Sequence, residues 1–98
     1  MERKLTPQQA LREYFLHRTG ELKYVSGALE RIRSGWWIGR EVRTRDLKKH
    51  TAFLRDLCRF IIEHHDLSQP THAELATLQH DLRVFETVHA EVTERLQH

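Results

Sequence analysis

Apolar residues recur at intervals of three and four along most of the chain, the period of amphipathic helices. In the first stretch they are Leu11, Tyr14, Phe15, Leu22, Val25, Leu29 and Ile32. Thr6, Pro7 and Gln9 precede it and form a helix start: threonine caps the helix, proline suits the first turn, and glutamine closes a capping box. The pattern predicts a first helix over residues 7–33.

Two features interrupt this first helical pattern. Arg18 occupies a position where an apolar residue is expected, and Gly20 follows it. A glycine inside a helix costs about 1 kcal/mol relative to alanine, so a break near Gly20 is the alternative to one continuous helix. Gly27 lies seven residues further on the same face, which predicts that a second helix approaches closely there.

A second apolar stretch predicts a helix over residues 43–66, beginning between Glu41 and Thr44 after the connection 34–39. Its apolar positions are Leu47, Phe53, Leu54, Leu57, Cys58 and Ile61, widened by Phe60 and Ile62. This is the most apolar helix, and we therefore expect it to be central. Pro70 sets its end, because the residue before a proline resists helical angles.

The third stretch has the most regular period. Thr71 and Glu74 form a second capping box and begin a predicted helix over residues 71–97. The apolar positions are Leu75, Leu78, Leu82, Phe85, Val92 and Leu96, with His89 at one position of the same seam. Polar residues in such seams commonly set helix register or the number of partners.

These elements predict an all-α chain, folded as an antiparallel three-helix bundle in a single domain over residues 1–98. Short connections make sequential helices antiparallel neighbours, and 98 residues fit one domain. No alternation of strands competes with this prediction, although residues 36–44 could be extended.

The composition indicates the cellular compartment and shows that charge is unevenly distributed along the chain. A single cysteine, Cys58, fits a reducing compartment, and we expect a buried, inert thiol. With neither a charged-then-apolar leader nor an apolar run long enough for a membrane span, we expect a cytoplasmic protein that does not contact membranes. The net charge is only +2, but residues 31–49 hold seven basic residues against two acidic ones.

That basic segment also contains the two tryptophans. Arginine fits phosphate and an indole ring stacks on a nucleobase, so this composition is typical of nucleic-acid binding. The predicted binding residues are Arg31, Arg33, Trp36, Trp37, Arg40, Arg43, Arg45, Lys48 and Lys49. The alternative is structural: the two tryptophans plug the end of the bundle, and the arginines are solvated or paired with the acidic third helix. Because adjacent residues face different ways, we expect one tryptophan to be buried and the other more exposed.

Helical spacing groups part of this segment. Arg45, Lys48, Lys49 and Ala52 fall at i, i+3, i+4 and i+7, so three cations line one face of the second helix. This face lies opposite much of the apolar seam. A docking face requires that position, but an ordinary solvated face has it as well, so the pattern fits both interpretations.

No pattern for catalysis stands above chance. Arg45 and His50 have the R-x4-H spacing and in those two residues resemble the helical ribonucleases of the HEPN family, in which such a pair acts on a phosphodiester. Other arginine–histidine pairs in the chain have similar spacings. No histidine pair has the i, i+3 or i, i+4 spacing of a helical metal site, so we predict no metal, cofactor or catalytic residues.

The sequence therefore predicts a small, non-enzymatic regulatory or accessory protein that contacts nucleic acid or a nucleoprotein complex, and no small-molecule substrate. The alternative is a protein-interaction module, an inhibitor or adaptor of phage or plasmid type, which docks on an acidic face of a partner enzyme. A HEPN-like ribonuclease is a remote alternative. The long seam of the third helix also predicts self-association as a homodimer.

Overall fold

The computed structural model describes residues 4–35 and 39–97. Most of these residues are helical, and no strand occurs within those ranges. The helices are α1 (Pro7–Ser34), α2 (Arg40–Glu63), α3 (His65–Ser68) and α4 (His72–Leu96). The prediction of an all-α chain is confirmed.

Both predicted capping boxes are present in the structure. The Thr6 hydroxyl accepts from the Gln9 amide at 3.2 Å, and the Gln9 side chain accepts from the Thr6 amide at 3.0 Å. Thr71 and Glu74 form the same reciprocal pair at 3.1 and 2.8 Å. Gly35 ends α1 in the left-handed conformation (φ 69°), which glycine adopts without strain.

The first helix is continuous through Gly20, so the alternative of a break there is wrong. The close helix approach expected at Gly20 and Gly27 is also wrong. A Cβ atom added at either glycine would meet nothing within 4 Å: Gly20 is exposed, and Gly27 borders a groove that separates it from α2.

The second helix differs from its prediction at both ends. It begins at Arg40, so residues 40–44 are helical and not extended, and it ends at Glu63. His64 leaves the helical conformation with ψ 38°, and the chain forms the extra turn α3 before Pro70. The buried Ser68 hydroxyl donates to the Ile61 carbonyl at 3.1 Å and ties this turn to the end of α2.

The core lies between α2 and its two neighbours. Helix α2 packs on both α1 and α4, as expected of a central helix, whereas α1 and α4 meet chiefly through long side chains. The buried apolar side chains of α2 are Leu47, Leu54, Cys58 and Ile61. Phe53, predicted for the core, is instead 60% exposed, and Thr51 is buried on the same helix.

Candidate functional site

The cations of the basic segment lie where α1 ends and α2 begins. Trp36 and Trp37, the aromatic part of the prediction, lie outside the described residues. The structure separates the seven cations: five line grooves on either side of α2, Arg33 pairs with a carboxylate of α4, and Arg40 lies apart.

Arg33 is the cation that pairs with α4. Its Nε and Nη2 atoms donate to both carboxylate oxygens of Glu91 on α4, at 2.9 and 2.6 Å. Those hydrogen bonds, more than the one from Arg95, lower the pKa of Glu91 to about 2, and the same contact raises the pKa of Arg33. This ion pair links α1 to α4. It is the kind of contact that the structural alternative expected, in which arginines of the basic segment pair with the acidic last long helix.

A groove between α2 and α4, called here the α2–α4 groove, holds the predicted cationic face. It is lined by Arg45, Lys48, Lys49 and Ala52 of α2, with His89, Thr93, Leu96 and Gln97 on the other side. The face therefore borders α4 and is not a freely solvated side of α2. Ala52 and Leu96 give the groove apolar lining beside the three cations.

The cations of the α2–α4 groove differ in their partners. Arg45 donates to Glu41 one turn earlier at 2.7 Å. No carboxylate among the described residues forms a salt bridge with the ammonium groups of Lys48 or Lys49. Partial burial, Arg55 and Lys48 lower the pKa of His89, as expected for an imidazole in positively charged surroundings.

A second groove lies between α1 and α2, called here the α1–α2 groove. It is lined by Lys23, Tyr24, Gly27, Ala28 and Arg31 of α1 and by Arg43 and Asp46 of α2. Its volume is about 380 Å³, within the range of roughly 300–1,000 Å³ of ligand pockets. Arg31 and Arg43 of the predicted site thus come together here, alongside Lys23, which was not predicted.

Arg40 lies apart from both grooves. It borders a hollow lined by two cations, Arg40 and Arg95, and two carboxylates, Glu41 and Glu94. The two signs of charge balance there, so this part of the predicted site does not add to a positive field.

The structure does not bring Arg45 and His50 together. Arg45 faces α4, whereas the His50 ring makes a short hydrogen bond with Glu21 of α1 and an edge-to-face contact with Tyr24 at 4.9 Å between ring centroids. The two side chains therefore point to different neighbours of α2. This geometry therefore does not support the resemblance to HEPN ribonucleases, which requires both side chains in one site.

A buried polar network was missed at the sequence level. Asp81 of α4 is fully buried and accepts from the Tyr14 hydroxyl at 2.5 Å and from Arg18 Nε and Nη2 at 2.6 and 3.0 Å. Burial raises the pKa of a carboxyl group, but here the hydrogen bonds from Arg18, Tyr14 and His80 outweigh it and lower the pKa of Asp81. The signal was Arg18 in an apolar seam, which calls for an acidic partner on a neighbouring helix.

The buried thiol of Cys58 agrees with its prediction. Cys58 has no exposed surface, and burial raises the pKa of its thiol to about 12. Among residues 4–35 and 39–97, no cluster of three or more histidine, cysteine or carboxylate side chains is suited to hold a metal ion. Within the same ranges no helix is both long and apolar enough to cross a membrane.

Comparison of the chain with protein families, with curated proteins and with solved structures gives no match. The functional argument therefore rests on the two grooves.

Proposed function

We propose that the protein is a non-enzymatic accessory protein that binds the phosphate backbone of nucleic acid through the cations on both sides of the N-terminal half of α2. The observation that carries this proposal is the pair of lysines in the α2–α4 groove. Lys48 and Lys49 are adjacent, border an open groove and have no carboxylate of the described chain to neutralise them. Unneutralised cations beside a groove attract polyanions.

The α1–α2 groove supports the same proposal from the other side of α2. Lys23, Arg31 and Arg43 line it together with Asp46. With Lys48 and Lys49, five cations in two grooves are positioned to meet phosphates. Arg33 has a structural role in this proposal, because its Nε and Nη2 atoms donate to both carboxylate oxygens of Glu91.

We also infer that the three long helices form an antiparallel three-helix bundle, which sets the directions of the two grooves. Arg18 meets Asp81 and Arg33 meets Glu91, so α1 and α4 run in the same direction. Arg59 meets Glu86 while Lys48 borders Thr93, so α2 runs opposite to α4.

The proposal is tested by titrating fluorescently labelled DNA and RNA, single-stranded and duplex, and measuring anisotropy. Five phosphate contacts predict an affinity for a single strand that falls roughly a hundredfold between about 50 and 200 mM salt. The double variant Lys48→Gln/Lys49→Gln is expected to reduce the slope of log affinity against log salt by about 1.4 for a single strand or 1.8 for a duplex.

The matched control removes two cations outside both grooves. Arg12 and Arg83 are exposed, one on α1 and one on α4, so Arg12→Gln/Arg83→Gln makes the same change in net charge. We expect this control to keep the wild-type salt slope. Equal losses in both double variants would show non-specific attraction to net charge and would overturn the proposed site.

One observation favours the protein-interaction alternative. Val42 is 60% exposed between the cations of the first turns of α2, and a phosphate backbone gives an apolar side chain nothing to bury against. An acidic face of a partner protein with an apolar centre would cover it. Absence of nucleic-acid binding at about 50 mM salt, where phosphate contacts are strongest, would remove the first proposal and leave this one.

A further inference from the structure

The α1–α2 groove contains more than cations. Tyr24 is 47% exposed and borders the groove, and Gly27 and Ala28 contribute no bulky side chain to the part of the α1 wall next to it. A Cβ atom at Gly27 would meet nothing within 4 Å. The groove thus combines a flat aromatic surface with unfilled space beside it.

The tyrosine is held in place by the contact described above. His50 packs against Tyr24 with the rings at 79°, and Glu21 in turn holds the His50 ring by its hydrogen bond. An aromatic surface that is already oriented loses less side-chain entropy when a ligand stacks on it.

The groove also contains a hydrogen-bond acceptor, the carboxylate of Asp46. Asp46 lies among Lys23, Arg31 and Arg43, where it opposes a phosphate group. A carboxylate accepts hydrogen bonds from the amino and imino groups on a base edge, as acidic side chains do with cytosine. The groove thus offers an aromatic ring, open space, a hydrogen-bond acceptor and surrounding cations. Together these features fit a nucleotide, with its base on the ring and its phosphates on the cations.

We propose that the α1–α2 groove binds an unpaired nucleobase of single-stranded nucleic acid, stacked on Tyr24, with its flanking phosphates on the groove cations. This inference rests on the proposed function and narrows it, because a duplex keeps its bases stacked inside and presents none to the groove. Single-strand binders use this combination of a stacking ring and a cationic path for the backbone.

The first test compares two tyrosine variants in the anisotropy assay. Stacking on one aromatic side chain contributes enough affinity that Tyr24→Leu is expected to weaken single-strand binding by roughly 5- to 150-fold. Tyr24→Phe keeps the ring and is expected to bind within about twofold of wild type. Single-stranded DNA and RNA are titrated separately, and duplex binding is expected to be insensitive to both variants.

The second test fills the groove without disturbing the core. Gly27→Gln places a side chain in the open space of the groove, and Gly20→Gln makes the same substitution one heptad earlier, where the surface is exposed. Glutamine is a better helix former than glycine, so neither variant is expected to melt below wild type. Only Gly27→Gln is expected to weaken single-strand binding, by about tenfold or more if a full stacking contact is lost.

A direct contact is tested by photo-crosslinking with an oligonucleotide that contains 5-iodouracil. We expect the crosslinked peptide to contain Tyr24. Wild-type affinity in both Tyr24→Leu and Gly27→Gln would overturn the base site while leaving phosphate binding intact. Absence of any nucleic-acid binding by the wild-type protein would instead overturn the proposed function itself, so the two failures are distinct.

Discussion

Replacement of Asp81 by alanine is expected to destabilise the protein by about 3–4 kcal/mol. The Tyr14 hydroxyl, on a residue only 2% exposed, would lose its acceptor, and an unsatisfied buried group costs about 1–3 kcal/mol. The Arg18 guanidinium would lose both hydrogen bonds to the same carboxylate. Breaking a buried ion pair costs about 3–5 kcal/mol, and the lower part of that range applies because the Arg18 side chain is 30% exposed and water can replace part of the contact.

Urea unfolding, followed by far-UV circular dichroism, measures the loss in free energy of unfolding. Thermal unfolding followed by the same signal gives the change in melting temperature. A domain of this size changes its melting temperature by roughly 4–8 °C per kcal/mol, so the variant is expected to melt about 12–30 °C lower. Tyr14→Phe is the control: it removes one hydroxyl, leaves the carboxylate paired with Arg18, and is expected to cost about 1 kcal/mol. An Asp81→Ala protein within about 1 kcal/mol of wild type, at an unchanged urea slope, would refute the argument that the network holds α1 to α4.

Three further predictions concern other parts of the molecule. Because Arg33 holds the pKa of Glu91 at about 2 against an ordinary value of 4.5, this carboxylate stabilises the fold above about pH 4.5 and the contribution is lost as the pH falls toward 2; Glu91→Gln is expected to flatten that part of a pH-dependent unfolding curve. Cys58, fully buried and with its pKa raised to about 12, is expected to react with a thiol reagent only in the unfolded protein, and rapid labelling in native buffer would contradict its placement. Gly20→Ala is expected to raise the free energy of unfolding by about 1 kcal/mol, measured by urea titration, because the added methyl group meets no neighbour.

The sequence predicts the helices well because their ends carry local signals. Thr6 and Thr71 each have a residue three positions later that completes a capping box, and Gly35 ends α1. These signals depend only on near neighbours in the chain. The end of α2 is less well predicted, because the turn at His64 depends on contacts of α3 with α1 and α2, which local patterns do not contain.

The core of α2 shows where hydrophobic periodicity fails. Thr44 and Thr51 are buried on the face of α2 that packs in the core, whereas Phe53, which was expected in the core, is exposed. Their hydroxyls donate to the carbonyls of Arg40 and Leu47, at 2.6 and 2.8 Å. A threonine that satisfies its hydroxyl within its own helix can be buried at little cost, so the stripe that packs is set by the two neighbouring helices and not by apolarity alone.

Asp81 was missed for a related reason. Its side chain lies at a buried position of α4, whereas the regular apolar seam predicted Leu75, Leu82 and Leu96, which are only partly buried. A buried carboxylate is stable there because it has two partners on α1, and those partners lie more than sixty residues earlier in the chain. Pairings over that distance depend on how the helices are arranged, which periodicity does not give.

The division of the basic segment follows from the central place of α2. A helix with a neighbour on each side has two flanks, and residues spaced by three and four share a flank: Lys48, Lys49 and Ala52 border α4, whereas Arg43, Asp46 and His50 border α1. Five of the seven cations that form one cluster in the sequence therefore line two separate grooves. We therefore expect a single strand that contacts both grooves to cross the N-terminal half of α2, whose residues line the aromatic groove on one side and the lysine groove on the other.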